Sequence, residues 1–240
     1  SLAGDYLFKN KLDEGKLEFE DVSISAGILG ATQGYGLAVM VSDINGDNWP
    51  DLYVGNDFHE DDYLYINQQN GTFKEELEEI LPHTSRFTMG VDIQDLNGDT
   101  NPEILTVDML PHEREIRLKS AFEDSEKIAR IKESYGYKKQ FARNNLHLNL
   151  GNEHFGDVAL MTGLDATDWS WSVLIDDFDN NSIPDIFITN GIFKRGNDLD
   201  YMNYLDNANL ISFQGVQRDS VERWLIDKMP SRKIPNRLFK

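Results

Sequence analysis

The stretch Asp43-Ile-Asn-Gly-Asp-Asn-Trp-Pro-Asp51 decides the fold, because it recurs. Asp95-Leu-Asn-Gly-Asp-Thr-Asn-Pro-Glu103 is a close copy, and Asp177-Phe-Asp-Asn-Asn-Ser-Ile-Pro-Asp185 a looser one. Upstream stand Leu37-Ala-Val-Met-Val-Ser42, Met89-Gly-Val-Asp-Ile-Gln94 and Trp171-Ser-Val-Leu-Ile-Asp176. In all three the second position is small (Ala38, Gly90, Ser172), the third is valine (Val39, Val91, Val173) and the fifth is β-branched (Val41, Ile93, Ile175). Downstream come Leu52-Tyr-Val-Gly-Asn56, Ile104-Leu-Thr-Val-Asp108 and Ile186-Phe-Ile-Thr-Asn190. Short β-branched and aromatic runs bounded by turn residues read as strands. Each acidic string is therefore expected to be a loop between two strands.

A second element repeats with it. Tyr6-Leu-Phe-Lys-Asn10, Tyr63-Leu-Tyr-Ile-Asn67 and Leu146-His-Leu-Asn149 each precede a Gly-containing turn and then Phe19, Phe73 or Phe155. That is hairpin chemistry, with Asn70-Gly71 as the turn of the middle copy. Arg237-Leu-Phe-Lys240 stands at the same phase. Four antiparallel strands per period predict a mainly all-β chain, a β-propeller segment of about three four-stranded blades with two helical insertions. The expected division is a hairpin of a preceding blade at 1–34, then blades at 35–86, 87–168 and 169–240. The inserts fall at about 108–143 and 191–236. Leu118, Ala121, Phe122, Ile128 and Ala129 recur at helical spacing in the first. In the second, Asp219 and Glu222 read as a capping pair before Val221, Trp224 and Leu225, with Pro230 as the stop. These helices are expected to pack over a face or rim.

Within each acidic loop, positions 1, 3, 5 and 9 carry side-chain oxygens. They are Asp43, Asn45, Asp47 and Asp51; Asp95, Asn97, Asp99 and Glu103; and Asp177, Asp179, Asn181 and Asp185. Alternate oxygens on a tightly turning backbone converge on one point, where a hard cation takes six to eight oxygen ligands. Position 7 would add a carbonyl from Trp49, Asn101 or Ile183. The prolines at position 8 (Pro50, Pro102, Pro184) hold the preceding residue extended and aim that carbonyl. One isolated copy would read as a polar turn; three in phase read as metal sites. Calcium suits them better than magnesium, which wants a small octahedral cage, or zinc, which prefers His and Cys. Up to three Ca²⁺ ions are expected. They are not EF-hands, since position 12 is Val54, Thr106 or Ile188 inside a strand.

Composition agrees. Forty-two acids against twenty-three Lys and Arg give a net charge of −19, which repels phosphate backbones and anionic lipid, so neither nucleic acid nor direct membrane insertion is expected. The absence of cysteine excludes disulfides, thiolate zinc sites and a cysteine nucleophile. No apolar run approaches the ~20 residues of a membrane span. The opening Ser-Leu-Ala-Gly-Asp has neither Met nor a signal-peptide profile, and is expected to mark a processed product or a piece of something longer.

The loops and hairpins resemble the FG-GAP or VCBS-type repeat proteins, relatives of the integrin α-subunit propeller, and the resemblance covers nearly the whole chain outside the inserts. Thr167-Asp-Trp-Ser-Trp171 and Ile188-Thr-Asn-Gly191 look like large exported bacterial members. The resemblance implies calcium in a loop between the first two strands of a blade, and an exported, extracellular, cell-surface or periplasmic location. The chain departs from the family at the literal Phe-Gly and Gly-Ala-Pro signatures, echoed only by Tyr35-Gly36 and Met89-Gly90. It also departs at loop position 6, where Asn48, Thr100 and Ser182 replace glycine; if φ is positive there, Thr100 fits worst.

The leading functional expectation is a non-catalytic, calcium-stabilised segment for adhesion, ligand binding or scaffolding, because the recognisable chemistry repeats once per blade. Its partner would be a protein or carbohydrate ligand, with self-association or the remaining blades of a longer parent covering the open faces. The alternative is a carbohydrate-active enzyme, a polysaccharide lyase or glycosidase, needing a carboxylate pair about 5–10 Å apart or a base beside calcium. The five histidines (His59, His83, His112, His147, His154) are scattered. His59-Glu-Asp-Asp62 reads as a solvated loop, and of Trp169 and Trp171 at least one reads as core.

Overall fold

The computed structural model describes residues 4–12, 15, 17–29, 34–120, 124–207 and 216–240, without the side chains of 207 and 216–219. The sequence expectations at Ala121 and Phe122 lie outside the described residues. The chain opens with an antiparallel pair, β1 (Phe8–Asn10) and β2 (Phe19–Asp21), followed by a single helical turn, α1 (Ser23–Ala26). The first four-stranded sheet is β3 (Gly36–Ser42), β4 (Asp51–Asn56), β5 (Tyr63–Asn67) and β6 (Phe73–Glu75), in simple antiparallel order, and α2 (Leu77–Ile80) follows. After β7 (Thr84–Ser85), the second sheet takes β8 (Gly90–Gln94) and β9 (Glu103–Val107). Two helices intervene, α3 (Arg114–Leu118) and α4 (Glu126–Ser134), with β10 (Gln140–Phe141) pairing in parallel with β7. Then β11 (Asn145–Asn149), β12 (Phe155–Asp157) and α5 (Ala159–Thr162) complete the unit. The third sheet holds β13 (Ser170–Asp176), β14 (Asp185–Asn190) and, after α6 (Leu199–Asn207) and α7 (Val216–Lys228), β15 (Arg237–Phe239).

The protein is thus mainly β, built of several antiparallel sheets, none of which closes on itself among the described residues. The sheets stack face to face. One apolar cluster joins Tyr53, Leu64 and Ile66 of the first sheet to Val91, Ile93 and Ile104 of the second. Another joins Leu105, Val107 and Leu146 to Val173, Ile175 and Ile186 of the third. The innermost strands β3, β8 and β13 run beside one another. The small residues at the second position of two runs, Gly90 of β8 and Ser172 of β13, meet there. A Cβ on Gly90 would come 2.9 Å from Ser172 Cα and 3.0 Å from the Trp171 carbonyl oxygen, so two strand backbones approach more closely than a side chain permits.

Both helical inserts occupy the same connection, between the second and third strands of their sheets, and one hydrogen bond explains how connections of such unequal length are tolerated. Asn56 N donates to Asp62 Oδ1 (2.8 Å), Asp108 N to Asn144 Oδ1 (2.7 Å) and Asn190 N to Asn236 Oδ1 (2.9 Å). An Asp or Asn just before the third strand therefore pins the end of the second, whether the loop is 57–61, 109–143 or 191–235. Asp62 is consequently not part of a solvated loop. It is buried, and it also accepts from the hydroxyls of Tyr53 (2.6 Å) and Thr88 (2.8 Å). The second insert differs from expectation too. α7 begins at Val216, so Asp219 lies inside the helix rather than at its cap, while Pro230 does follow its end. Trp169 is half-buried, and Trp171 is exposed, its indole N–H donating to Gly191 O at 2.6 Å.

Candidate metal centres

The acidic strings connect β3 to β4, β8 to β9 and β13 to β14, all at the end of the sheets opposite the inserts. Their backbones follow one plan. The position-1 carboxylate folds back over its own loop. Asp43 accepts from Gly46 N, Asp47 N and Asn48 N (2.8–3.0 Å), and Asp95 from Gly98 N, Asp99 N and Thr100 N (2.8–3.2 Å). Asp177 accepts from Asn181 N (3.0 Å) and Ser182 N (2.7 Å). The position-5 side chain then accepts from the position-7 N–H, Asp47 from Trp49 (2.8 Å), Asp99 from Asn101 (2.8 Å) and Asn181 from Ile183 (2.7 Å). Positions 4 and 6 are left-handed in every copy: Gly46, Gly98 and Asn180, then Asn48 (φ 67°), Thr100 (φ 75°) and Ser182 (φ 68°).

Position 9 is the buried end of each loop, with Asp51, Glu103 and Asp185 essentially removed from solvent. Asp51 Oδ2 accepts from Ile44 N (2.9 Å) and Oδ1 from Asn67 N (2.8 Å), which ties the loop to the hairpin asparagine. Glu103 Oε2 accepts from Leu96 N (2.7 Å), and its Oε1 stands 3.4 Å from Asn97 Nδ2. Asp185 Oδ2 has no hydrogen-bond partner among the described residues. Burial pushes the Asp51 and Glu103 carboxyls up, and the neighbouring charges of Asp47, or of Asp99 and Asp95, push the same way. Hydrogen bonds act oppositely on the half-buried members. The Gln69 amide and the Trp49 N–H hold Asp47 below the usual range, and the Ser182 N–H does the same for Asp177.

The donor set fits a hard, oxygen-seeking cation: each loop offers three carboxylates and one amide, and one of the carboxylates is buried. Among the described residues no three His, Asp or Glu groups already converge into a metal-binding cluster. An ion would therefore have to draw the position-3, -5 and -9 oxygens inward from their present partners. In the third loop one partner is itself a cation, Lys240 Nζ at 2.7 Å from Asp179 Oδ2.

Sequence reading passed over the polar groups at the opposite end. Asp168, left-handed at φ 83°, forms a buried ion pair with Arg195. Asn144 donates to Leu164 O and Thr167 Oγ1 while holding Asp108 N. On the face of the second sheet that meets the first, Thr106, Asn145 and His147 are buried with side-chain polar atoms unpartnered. The equivalent positions in the first sheet are Val54, Tyr63 and Tyr65. Only the recurring Asp or Asn before each third strand offered a signal. No helix among the described residues is long and apolar enough to cross a membrane.

No curated protein matches the chain. Residues 43–106 match the model of the FG-GAP-like repeat family, one period from the first acidic loop into the strand after the second, and this part of the chain is similar to an FG-GAP-like repeat.

Proposed function

We propose that the protein is a non-catalytic, calcium-stabilised β-propeller segment of an exported or cell-surface protein, used for adhesion, ligand binding or scaffolding. The observation that carries this reading is the threefold loop: the same carboxylate-to-backbone bonds and the same left-handed residues at three successive strand connections. Repetition of this kind suits structural metal sites, whereas a catalytic centre is a single constellation. Asp43, Asn45, Asp47 and Asp51 would hold one ion, with the Trp49 carbonyl. Asp95, Asn97, Asp99, Glu103 and Asn101 would hold a second, and Asp177, Asp179, Asn181, Asp185 and Ile183 a third. Bound calcium would neutralise the crowded carboxylates and cross-link two strand ends. Three stacked sheets joined at their inner strands support the blade reading.

A ligand bound only to the folded state contributes RT ln(1 + [L]/Kd), about 1.4 kcal/mol per site at tenfold excess. Calcium should raise the melting temperature by several degrees over chelator, and more than equimolar magnesium does. An identical melt in calcium and in chelator overturns the proposal. Polysaccharide cleavage on screening would turn the reading toward a carbohydrate-active enzyme.

A further inference from the structure

The two helical inserts touch, and a groove lies where they meet. Leu199 N donates to Lys119 O (2.6 Å), Ser120 and Asp198 form an antiparallel bridge, and Arg232 pairs with Glu113 (2.5 Å). These contacts tie the first part of one insert to both ends of the other, so the walls of the groove are held by the fold itself. Two cavities, of about 610 Å³ and about 200 Å³, share Lys119, Asp198 and Pro230 as lining and so form one continuous groove. The larger alone lies within the roughly 300–1,000 Å³ of small-molecule sites.

The larger end is aromatic. Tyr204 of α6 and Trp224 of α7 are 42% and 46% exposed, with ring centroids 6.0 Å apart and planes inclined at 55°. Beside them Tyr201 is buried, and its hydroxyl donates to Leu225 O at 3.0 Å, which ties α6 to α7. The rim carries both signs of charge, Lys119 and Lys228 against Asp198 and Asp200. Lys119 Nζ stands 3.4 Å from Asp200 Oδ2, and Lys228 Nζ 5.8 Å from the centre of the Trp224 ring. The smaller end also mixes signs, with Arg232 and Glu115, and adds Arg195. Arg195 is buried and pairs with Asp168 through Nη2, while its Nε and Nη1 have no hydrogen-bond partner among the described residues.

Charge selects the occupant. An anion meets Asp198 and Asp200, and a cation meets Lys119 and the Lys228 already placed against Trp224. A wholly apolar partner would take four charges out of water and return nothing. A neutral sugar suits the whole lining. Its C–H face is apolar and packs on an aromatic ring, while its hydroxyls donate to carboxylates and accept from ammonium and guanidinium N–H groups. We propose that this groove binds a neutral saccharide chain, one ring stacked on Trp224 and Tyr204 and the hydroxyls of the next reaching Arg195 in the smaller end. The inference deepens the ligand-binding reading and rests on it, but it uses neither the acidic loops nor calcium.

The test is native gel electrophoresis in chelator, with dextran, laminarin, xylan or glucomannan cast into the gel, and polygalacturonate as the acidic comparison. The chain carries −19 and migrates freely, so binding reads as retardation. At least one neutral polymer should retard it, and Trp224→Ala and Tyr204→Ala should each weaken the affinity about tenfold. Both rings are exposed, so both variants should keep the parent melt. Retardation by none of the four neutral polymers overturns the inference. So does retardation that both variants leave unchanged, or retardation by polygalacturonate alone. A melt indifferent to calcium would remove the calcium reading and leave this one standing; release of reducing ends from a bound polymer would do the same to the non-catalytic reading.

Discussion

Thr100→Gly should stabilise the protein, although it removes a side chain and adds no contact. Thr100 sits at φ 75°, where its equivalents are Asn48 (67°) and Ser182 (68°). A β-branched residue collides with its own backbone in the left-handed region, and such conformations cost on the order of 1–3 kcal/mol for a non-glycine residue. The Thr100 side chain is exposed, so no packing is lost, and the hydrogen bond to Asp95 Oδ2 (2.8 Å) uses the backbone N–H that glycine keeps. Glycine returns roughly 0.5–1 kcal/mol through its freer unfolded chain. The net gain is about 1 kcal/mol, or roughly 2–4 °C in melting temperature for a chain of this size. The assay is a thermal melt by circular dichroism, in chelator, beside the reverse substitution Asn48→Thr, which should lose a similar amount. If Thr100→Gly is neutral or destabilising while Asn48→Thr is neutral, strain at position 6 does not govern these loops. In calcium the same substitution should tighten binding at the second loop, as calorimetric titration of an Asp43→Ala background would read.

Gly90→Ala should lower stability by about 1–3 kcal/mol, because its Cβ strikes the backbone of β13 rather than a movable side chain; an unchanged urea midpoint would show that β8 and β13 are free to part. Asn144→Ala should cost about 1–3 kcal/mol by leaving the buried Asp108 N–H and Leu164 carbonyl unsatisfied; a loss below 0.5 kcal/mol, roughly the range of surface substitutions, would discount the clamp. Burial pushes Asp61 up to about 6 and Asp62 up to about 7, above the ordinary ~3.9. The folded chain then holds protons that the unfolded chain has released, so the contribution of these two acids to stability in chelator should fall as pH rises from about 4 to about 7. Asp62→Asn should flatten that slope, and an unaltered pH profile in the variant would refute the burial argument.

By itself the sequence determined the repeat and its local chemistry. The three acidic loops, the strands on either side and the hairpins from Tyr63 and Leu146 are legible because they depend on nearest-neighbour preferences: β-branching, Asn-Gly turns, proline at position 8. The positive φ at Thr100 was foreseeable for the same reason, as the backbone path of a loop follows from its alternating polar residues. Tertiary structure decided what depends on distant partners. Asp62 looked like a solvated acid beside His59, yet the clamp to Asn56 and the hydroxyls of Tyr53 and Thr88 take it out of water. Asp219 looked like a helix cap, but α7 starts earlier, at Val216. Which apolar positions meet another sheet was equally hidden, since Val39, Val91 and Val173 are one residue in sequence and differ only in what stacks against them. Local pattern fixes which way a side chain points from its strand; burial depends on the sheet that arrives opposite, and that is a contact between residues far apart along the chain.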